Sequence, residues 1–185
     1  MTVARRLAAL SLVVAAVSMT AAPAFAATRR FFSYDPDNAE TRHVAGALTF
    51  EFDQHLLSTT VLRVRATEGE ATADLKRANQ SALGGGGLTA LIGAAAPERD
   101  LYEVQPREEG AAMISALCPG ARRAWMAFDR LKANHDMRVL VLADGPSGGA
   151  RLCRTLAFAY HGEWRLPPGP PVDERRVEVP HFPYN

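Results

Sequence analysis

The alternation of apolar and polar side chains at every second residue most constrains how this chain folds. In the segment 48–53 apolar side chains alternate with polar ones, and the segments 61–66 and 71–76 repeat the pattern. A period of two places successive side chains on opposite faces of a β-strand. The three segments therefore predict three successive half-buried strands.

The register of the second and third strands follows from a two-residue turn at 68–69. This turn makes the apolar faces coincide, with Leu62 on the buried face, and it places Arg63 opposite Asp74. A short connection from the first strand brings Glu51 to the other side of Arg63. Exposed pairs of opposite charge stabilise neighbouring strands by about 0.2–1 kcal/mol each. We therefore expect an antiparallel meander of three strands.

A second set of three strands is predicted in the second half of the chain. The segment 123–131 alternates, 137–143 is apolar on both faces, and 151–160 follows a glycine-rich turn. A strand that is apolar on both faces is covered on both faces. The segment 108–117 has acidic residues in its first turn and ends before Pro119, which predicts a helix between the two sets.

Three shorter elements complete the prediction. Asp35 is placed to cap a short helix that has Pro36 in its first position. The glycine run 84–87 predicts a flexible crossing followed by a short helix at 88–92. The segment 101–104 predicts a short strand.

These elements predict an α+β fold made of two antiparallel three-stranded meanders with one or two short helices. A β-sandwich or a small β-barrel is the alternative arrangement. About 160 residues can bury close to 70% of the surface of the unfolded chain, which is enough for one self-sufficient core. We therefore expect a single globular domain over 27–165, a signal peptide over 1–26 and a proline-rich C-terminal arm over 166–185.

The first 26 residues have the three-part pattern of a secretory signal peptide. A basic start at 5–6 precedes an apolar stretch over 7–19, and the small-x-small segment 24–26 follows. A retained membrane anchor is the alternative, but Pro23 and the polar residues before it interrupt the apolar stretch. We therefore expect cleavage after residue 26, a periplasmic or secreted location and no membrane span after cleavage.

The only two cysteines, Cys118 and Cys153, lie 35 positions apart. An exported chain meets an oxidising compartment, so this pair predicts a disulfide, which typically stabilises a fold by about 2–4 kcal/mol. The separation excludes a C-x-x-C redox motif, and two cysteines without closely spaced histidines make a poor zinc site. The disulfide would attach the 108–117 helix to the second set of strands.

The composition excludes several classes of function. The 21 basic and 20 acidic residues lack the basic excess of a protein that binds nucleic acid or an anionic membrane. The glycine run 84–87 lacks the following Lys-Ser or Lys-Thr of a phosphate-binding loop. No metal or cofactor motif is present in the sequence. We therefore expect no nucleic-acid partner, no cofactor and no metal.

One pattern is shared with serine hydrolases, the Gly-x-Ser-x-Gly sequence centred on Ser147. A nucleophile elbow of this kind lies between a strand and a helix, and Asp173 with either His161 or His181 would complete a catalytic triad. However, the segment 151–160 fits a strand as well as a helix, and a Gly-Pro-Ser-Gly-Gly sequence is typical of a hairpin loop. The hairpin interpretation is favoured.

A second candidate site consists of Glu51, Asp53 and His55, which an extended strand would place on one face. Two carboxylates and an imidazole can bind a divalent metal or share acid-base chemistry. The alternative is an exposed strand face on which the carboxylates pair with Arg63 and Arg65. Which applies depends on whether this face meets solvent or a cavity.

The sequence alone therefore predicts a small exported protein that is a non-enzymatic binding or accessory factor, with an unknown protein or small molecule as its partner. Two alternatives remain open. One is an exported serine hydrolase that uses Ser147, and the other is a carrier of an apolar ligand held inside a curved sheet.

Overall fold

The strands follow one another antiparallel in chain order around a closed barrel. The computed structural model describes residues 27–94, 98, 100–107, 109–146 and 148–165. The strands are β1 Thr28–Pro36, β2 Leu48–Gln54, β3 Thr59–Ala66, β4 Thr72–Arg77, β5 Asp100–Val104, β6 Ala124–Phe128, β7 Met137–Asp144 and β8 Ala150–Arg165. The barrel closes because β1 pairs with β2 on one side and with β8 on the other.

Three short helices accompany the strands: α1 Ala39–Val44, α2 Gly87–Ile92 and α3 Gly110–Leu117. The predicted antiparallel sheet and short helices are confirmed, but the small β-barrel describes the fold and the two separate meanders do not. The two predicted sets of strands form one barrel because β5 pairs with both β4 and β6. The leader 1–26 and the arm 166–185 lie outside the described residues.

The register predicted for the first three strands is confirmed at its charged pairs. Arg63 lies opposite Asp74 on one side and opposite Glu51 on the other. The expectation that Leu62 faces the interior is wrong. The register between β2 and β3 shifts after Glu51, so that Val61 is buried while Leu62 is only half-buried. A bulge of this kind redirects a side chain without interrupting the sheet.

The predicted helix start at Asp35 and Pro36 is wrong by one turn. These two residues end β1, and α1 begins at Ala39 after Asn38, whose Oδ1 accepts a hydrogen bond from the Thr41 amide at 2.8 Å. Inward side chains earlier in β1 keep the strand paired with β8 as far as Pro36. The capping residue is therefore Asn38. The pairing of β1 with β8 outweighs the preference of Asp35 and Pro36 for a helix start.

The interior of the barrel is filled by apolar side chains, among which several aromatic rings contact one another. The Phe50 ring lies 5.2 Å from the Phe128 ring between centroids, and Phe128 stacks on Tyr102 at the same distance. An eight-stranded barrel is just wide enough for its side chains to fill. Burial raises the pKa of Tyr34 and of Tyr102, so both phenols stay neutral inside the barrel at ordinary pH.

A second apolar cluster lies outside the barrel wall. Trp125, Leu140 and Leu142 point outward from β6 and β7, and the segment that contains α2 covers them with Leu83 and Leu88. This arrangement confirms that β7 is covered on both faces. The outer layer explains why a strand near the surface is as apolar as a core strand.

Two of the helices, α1 and α3, lie with the disulfide at one end of the barrel. Because strand direction alternates, the β1–β2 and β5–β6 connections that contain α1 and α3 emerge at the same end. Met113, Ile114 and Leu117 of α3 pack onto the core there. Cys118 is bonded to Cys153 of β8 with 6.0 Å between Cα atoms, so the predicted disulfide and the attachment of the helix to the second strand set are confirmed.

The end of the barrel opposite α1 and α3 exposes two leucines. The β2–β3 connection there presents Leu56 and Leu57, which are 82% and 94% exposed. It is a tight loop in which the His55 amide donates to the Ser58 carbonyl at 2.9 Å. Within the described ranges, no helix is long and apolar enough to cross a lipid bilayer.

Candidate functional site

The strand register places two rows of outward side chains next to each other on the barrel wall, across β8, β1, β2, β3 and β4. The Trp164 row contains Trp164, Phe31, Glu51, Arg63 and Asp74, each opposite the next on the neighbouring strand. The Ser33 row contains Gly162, Ser33, Thr49, Arg65 and Thr72. The side chains of the first row are mostly long or bulky, and those of the second row are mostly short. The outer surface of the wall therefore steps down from the first row to the second.

The step forms a cavity of about 430 Å³ on the outside of the barrel, which we call the outer trough. Its lining residues are Phe31, Thr49, Glu51, Arg63, Arg65 and Thr72. A neighbouring cavity of about 270 Å³ shares Arg63 and Thr72 and extends the depression toward Arg107 and Glu109. The lining residues lie on β1 to β4, so three strand spacings of about 4.8 Å make the trough about 14 Å long.

Ion pairs hold the charged groups of the Trp164 row. Arg29 binds Glu51 at 2.6 Å and Asp53 at 2.8 Å, and these bonds raise the pKa of Arg29, the hydrogen bond to Asp53 most of all. Arg63 binds Asp74 at 2.9 Å and lies 3.8 Å from Glu51. Exposed ion pairs add little to stability. Their main consequence here is that the carboxylate of Glu51 is held at the trough.

An exposed indole stands at one end of the row in a fixed orientation. Trp164 is 60% exposed, and its Nε1 donates to Ser33 Oγ at 3.1 Å. Ser33 Oγ is in turn 3.0 Å from Thr49 Oγ1, which lines the trough. A chain of hydrogen bonds thus crosses three strands and connects the indole to the trough.

Arg65 is the basic residue of the Ser33 row. Its side chain is exposed and lies between Thr49 and Thr72 on the neighbouring strands. In the part of the chain that the structure describes, no salt bridge involves Arg65. Its guanidinium therefore differs from those of Arg29 and Arg63, which are bound to carboxylates.

The structure separates the residues of the candidate cluster. Glu51 and Asp53 lie on the outer face and both bind Arg29. His55 follows the end of β2 and lines a different cavity of about 470 Å³, together with Leu56 and Leu57. Among the described residues, no three His, Cys, Asp or Glu side chains are grouped to hold a metal ion. Glu51 is the member that lines the trough.

The Gly-x-Ser-x-Gly segment lies in the hairpin between β7 and β8. The Gly145 amide donates to the Gly149 carbonyl at 2.6 Å, and the element that follows is a strand. Ser147 and Asp173 lie outside the described residues. His161 is exposed on β8, where its Nδ1 is 2.8 Å from the Asp35 carboxylate. The described part of this segment agrees with the hairpin interpretation, and the triad stays a prediction.

A cavity of about 400 Å³ lies below the β6–β7 connection at the end opposite α1 and α3. Tyr34 lines it, and the charged groups around it are largely paired: Lys132 with Asp129 at 3.7 Å, and Arg138 with Glu98 at 2.5 Å. The mouth of a β-barrel is a common place for a ligand pocket. The described residues that line this cavity lack an exposed, fixed aromatic ring such as Trp164, which lies beside the trough.

Most of the trough residues cannot be identified without the register. Only strand pairing brings Thr49 and Thr72 together with their neighbours Ser33 and Trp164. These residues are distant in sequence and individually ordinary. The one available signal was the predicted alignment of Glu51, Arg63 and Asp74, which is confirmed.

Comparison of the chain with protein-family models, curated proteins and solved structures found no match. Inference about function therefore depends on the geometry and chemistry of the trough.

Proposed function

We propose that this protein is a non-enzymatic binding factor that acts outside the cytoplasm and binds an elongated saccharide in the outer trough. The observation that supports this most is the pair of rows across five strands, in which Trp164 and Phe31 are followed by charged groups beside a line of hydroxyls.

The residue types suit a saccharide. The face of an aromatic ring is electron-rich, so it packs well against the C–H groups on one face of a sugar ring. The hydroxyls of a sugar need both donors and acceptors, which Arg63, Glu51 and Thr49 provide along the trough. A length of about 14 Å accommodates several linked sugar rings.

The site is also held in place before any ligand binds. Trp164 is fixed by its bond to Ser33, and the Glu51 carboxylate is fixed by Arg29. Groups that are already ordered lose less conformational entropy on binding. This supports binding as the role of the trough, since packing within the barrel does not require an exposed indole to be fixed.

The extracytoplasmic location is the second part of the proposal. It is supported by the signal-peptide pattern of residues 1–26 and by the bond between Cys118 and Cys153, a pairing typical of oxidising compartments. Mass spectrometry of the protein made in its own host tests this. We expect the mass of a chain that begins at residue 27, and a mass that retains residue 1 would contradict the location.

Tryptophan fluorescence tests saccharide binding directly, because the chain has two tryptophans in different environments. Trp125 is buried and Trp164 is exposed. Titration with neutral hexasaccharides of glucose, N-acetylglucosamine and galactose should change the emission of Trp164 and protect it from quenching by acrylamide. Trp164→Phe should keep a folded barrel and lose this signal.

Binding by the Trp164→Ala variant, measured by calorimetry, completes the test. We expect it to bind at least about tenfold more weakly than the native protein, because stacking on one aromatic ring contributes about 0.5–1.5 kcal/mol beyond the area it buries. Leu57→Ala is a matched control, since Leu57 is exposed outside the trough. If no saccharide, neutral or acidic, binds the native protein, the proposed function is wrong.

The two alternative functions have less support. The carrier of an apolar ligand has less support because buried side chains fill the interior of the barrel. The hydrolase lacks a helix after its glycine-rich segment. Treatment with a fluorophosphonate probe should leave the protein unlabelled, and labelling that Ser147→Ala abolishes would favour the hydrolase.

A further inference from the structure

We infer that the saccharide bound in the trough is acidic, and that its carboxylate or sulfate group binds at Arg65 between the hydroxyls of Thr49 and Thr72. This inference rests on the proposed function and adds the chemical class of the ligand.

The first argument is the contrast between the arginines at the trough. Arg29 and Arg63 are bound to the carboxylates of Glu51, Asp53 and Asp74. Arg65 lines the same cavity, and no salt bridge within the described residues involves it. A guanidinium is always charged and presents its N–H groups in a plane that matches a carboxylate or sulfate.

The second argument is the direction of the hydrogen-bond chain. An indole N–H can only donate, so Ser33 Oγ is the acceptor of the bond from Trp164. The Ser33 hydroxyl is then able to donate to Thr49 Oγ1, 3.0 Å away. In that arrangement the Thr49 hydroxyl keeps its own hydrogen for a ligand. Successive hydrogen bonds polarise one another, so this hydroxyl is a good donor to an anion.

The third argument is the placement of the two hydroxyls. Thr49 and Thr72 lie directly opposite Arg65 on the two neighbouring strands. Their Cα atoms are therefore about 9.6 Å apart, with the guanidinium between them. This spacing admits one anionic group that accepts bonds from Arg65 and from a threonine on either side.

Two carboxylates lie near this position and both are already bound. Glu51 binds Arg29 and faces Arg63, and a Glu109 oxygen accepts the Thr72 amide at 2.9 Å. Their negative charge is thus partly compensated. The charge left over at the centre of the Ser33 row is the positive charge of Arg65.

The test compares saccharides that differ only in charge. Oligogalacturonate of six sugars and its methyl ester have the same scaffold, and a sulfated hexasaccharide provides the second anion. Calorimetry at physiological ionic strength should show about tenfold tighter binding of the acid than of its ester, because hydrogen bonds to charged groups are the strong ones. A preference for the sulfated sugar instead would identify sulfate as the source of the charge.

Variants then locate the charge. Arg65→Gln should weaken binding of the acid about tenfold and leave binding of the ester unchanged, and Thr49→Val should act in the same direction with a smaller effect. Arg122→Gln is the control, since Arg122 is 92% exposed elsewhere and its replacement removes the same charge. It should affect neither ligand.

The outcomes separate this inference from the proposed function. Equal affinity for acid and ester overturns the inference but leaves saccharide binding intact. Equal losses in Arg65→Gln and Arg122→Gln also overturn it, because the effect would then be one of net charge. Binding of a peptide in place of any saccharide would overturn both.

Discussion

The outward residues of the barrel wall differ in whether their polar groups already have ion-pair or hydrogen-bond partners. The two rows illustrate this, since the carboxylates of the Trp164 row are bound to arginines while Arg65 faces solvent. An exposed ion pair costs little to break, because its two groups regain water. The chemistry available to a ligand is therefore set by which partners are left over after the strands have paired.

Asp144 gives a prediction at this scale. Its Oδ1 accepts hydrogen bonds from the Arg122 and Arg123 amides, both at 3.0 Å, and these bonds lower the pKa of Asp144. A carboxyl whose pKa is lower in the folded state stabilises the fold above its unfolded pKa, and this contribution is lost as the pH falls through the folded value. Asp144→Asn should therefore be less stable than the native protein at pH 7.

Urea unfolding at a series of pH values checks this. The difference in free energy of unfolding between the native protein and Asp144→Asn should be constant at neutral pH. It should shrink as the pH falls below about 5, where an ordinary aspartate begins to protonate, and continue to shrink through the lower pKa of the folded state. A difference that stays the same down to the lowest accessible pH would show that the charge of Asp144 is not responsible.

The surface leucines give a second prediction at the residue scale. Leu57 is 94% exposed and Phe50 is fully buried. Leu57→Ser should change the free energy of unfolding by less than about 0.5 kcal/mol, whereas Phe50→Ala should cost about 3–5 kcal/mol. A large loss in the leucine variant, measured by urea unfolding, would show that the loop packs more closely than its exposure indicates.

At the scale of elements, the sequence predicted most of the strands but missed β1. Periods of two identified β2, β3 and β4, which bury one face, and a continuous apolar run identified β7, which is buried on both faces. β1 was not predicted, because Phe31 and Phe32 are adjacent and hide its alternation, and because Asp35-Pro36 resembles a helix start. The missing strand is the one that closes the barrel.

The trough depended on the same missing element. Three of the five positions in each row could be aligned from the hairpin arithmetic of β2, β3 and β4, which placed Glu51, Arg63 and Asp74 together. The other two, Trp164 with Phe31 and Gly162 with Ser33, follow only from the pairing of β1 with β8. β1 and β8 are the first and last strands of the barrel, so no turn connects them and sets their register.

The segment that contains α2 gives a prediction at the element scale. Leu88 is 2% exposed and packs against the outer face of β6 and β7, while Thr89 on the same helix is exposed. Leu88→Ala should lower the free energy of unfolding by about 2–5 kcal/mol, and Thr89→Ala should change it little. Equal, small effects in urea unfolding would show that this segment does not contribute to the stability of the barrel.

At the scale of the whole molecule, the barrel has two different ends and one distinctive wall. The β1–β8 pairing closes the sheet without exposed edges, and the aromatic interior fixes the curvature of the wall. Closure also fixes the relation between β8 and β4, which are four strands apart. The trough spans β1 to β4 and Trp164 lies beside it on β8, so the arrangement of the two depends on the closed barrel and not on any single hairpin.

The disulfide lies at the end of the barrel opposite Leu56 and Leu57. Its removal should lower the stability of the barrel without opening it. Cys118 and Cys153 are 35 positions apart, so replacing both with serine should lower the free energy of unfolding by about 2–4 kcal/mol. The barrel should persist, because hydrogen bonds between β1 and β8 close it independently. Urea unfolding with and without reductant measures this. The reductant should shift the midpoint of the native protein and not that of the double serine variant, and loss of the folded far-ultraviolet spectrum in that variant would show that closure requires the covalent bond.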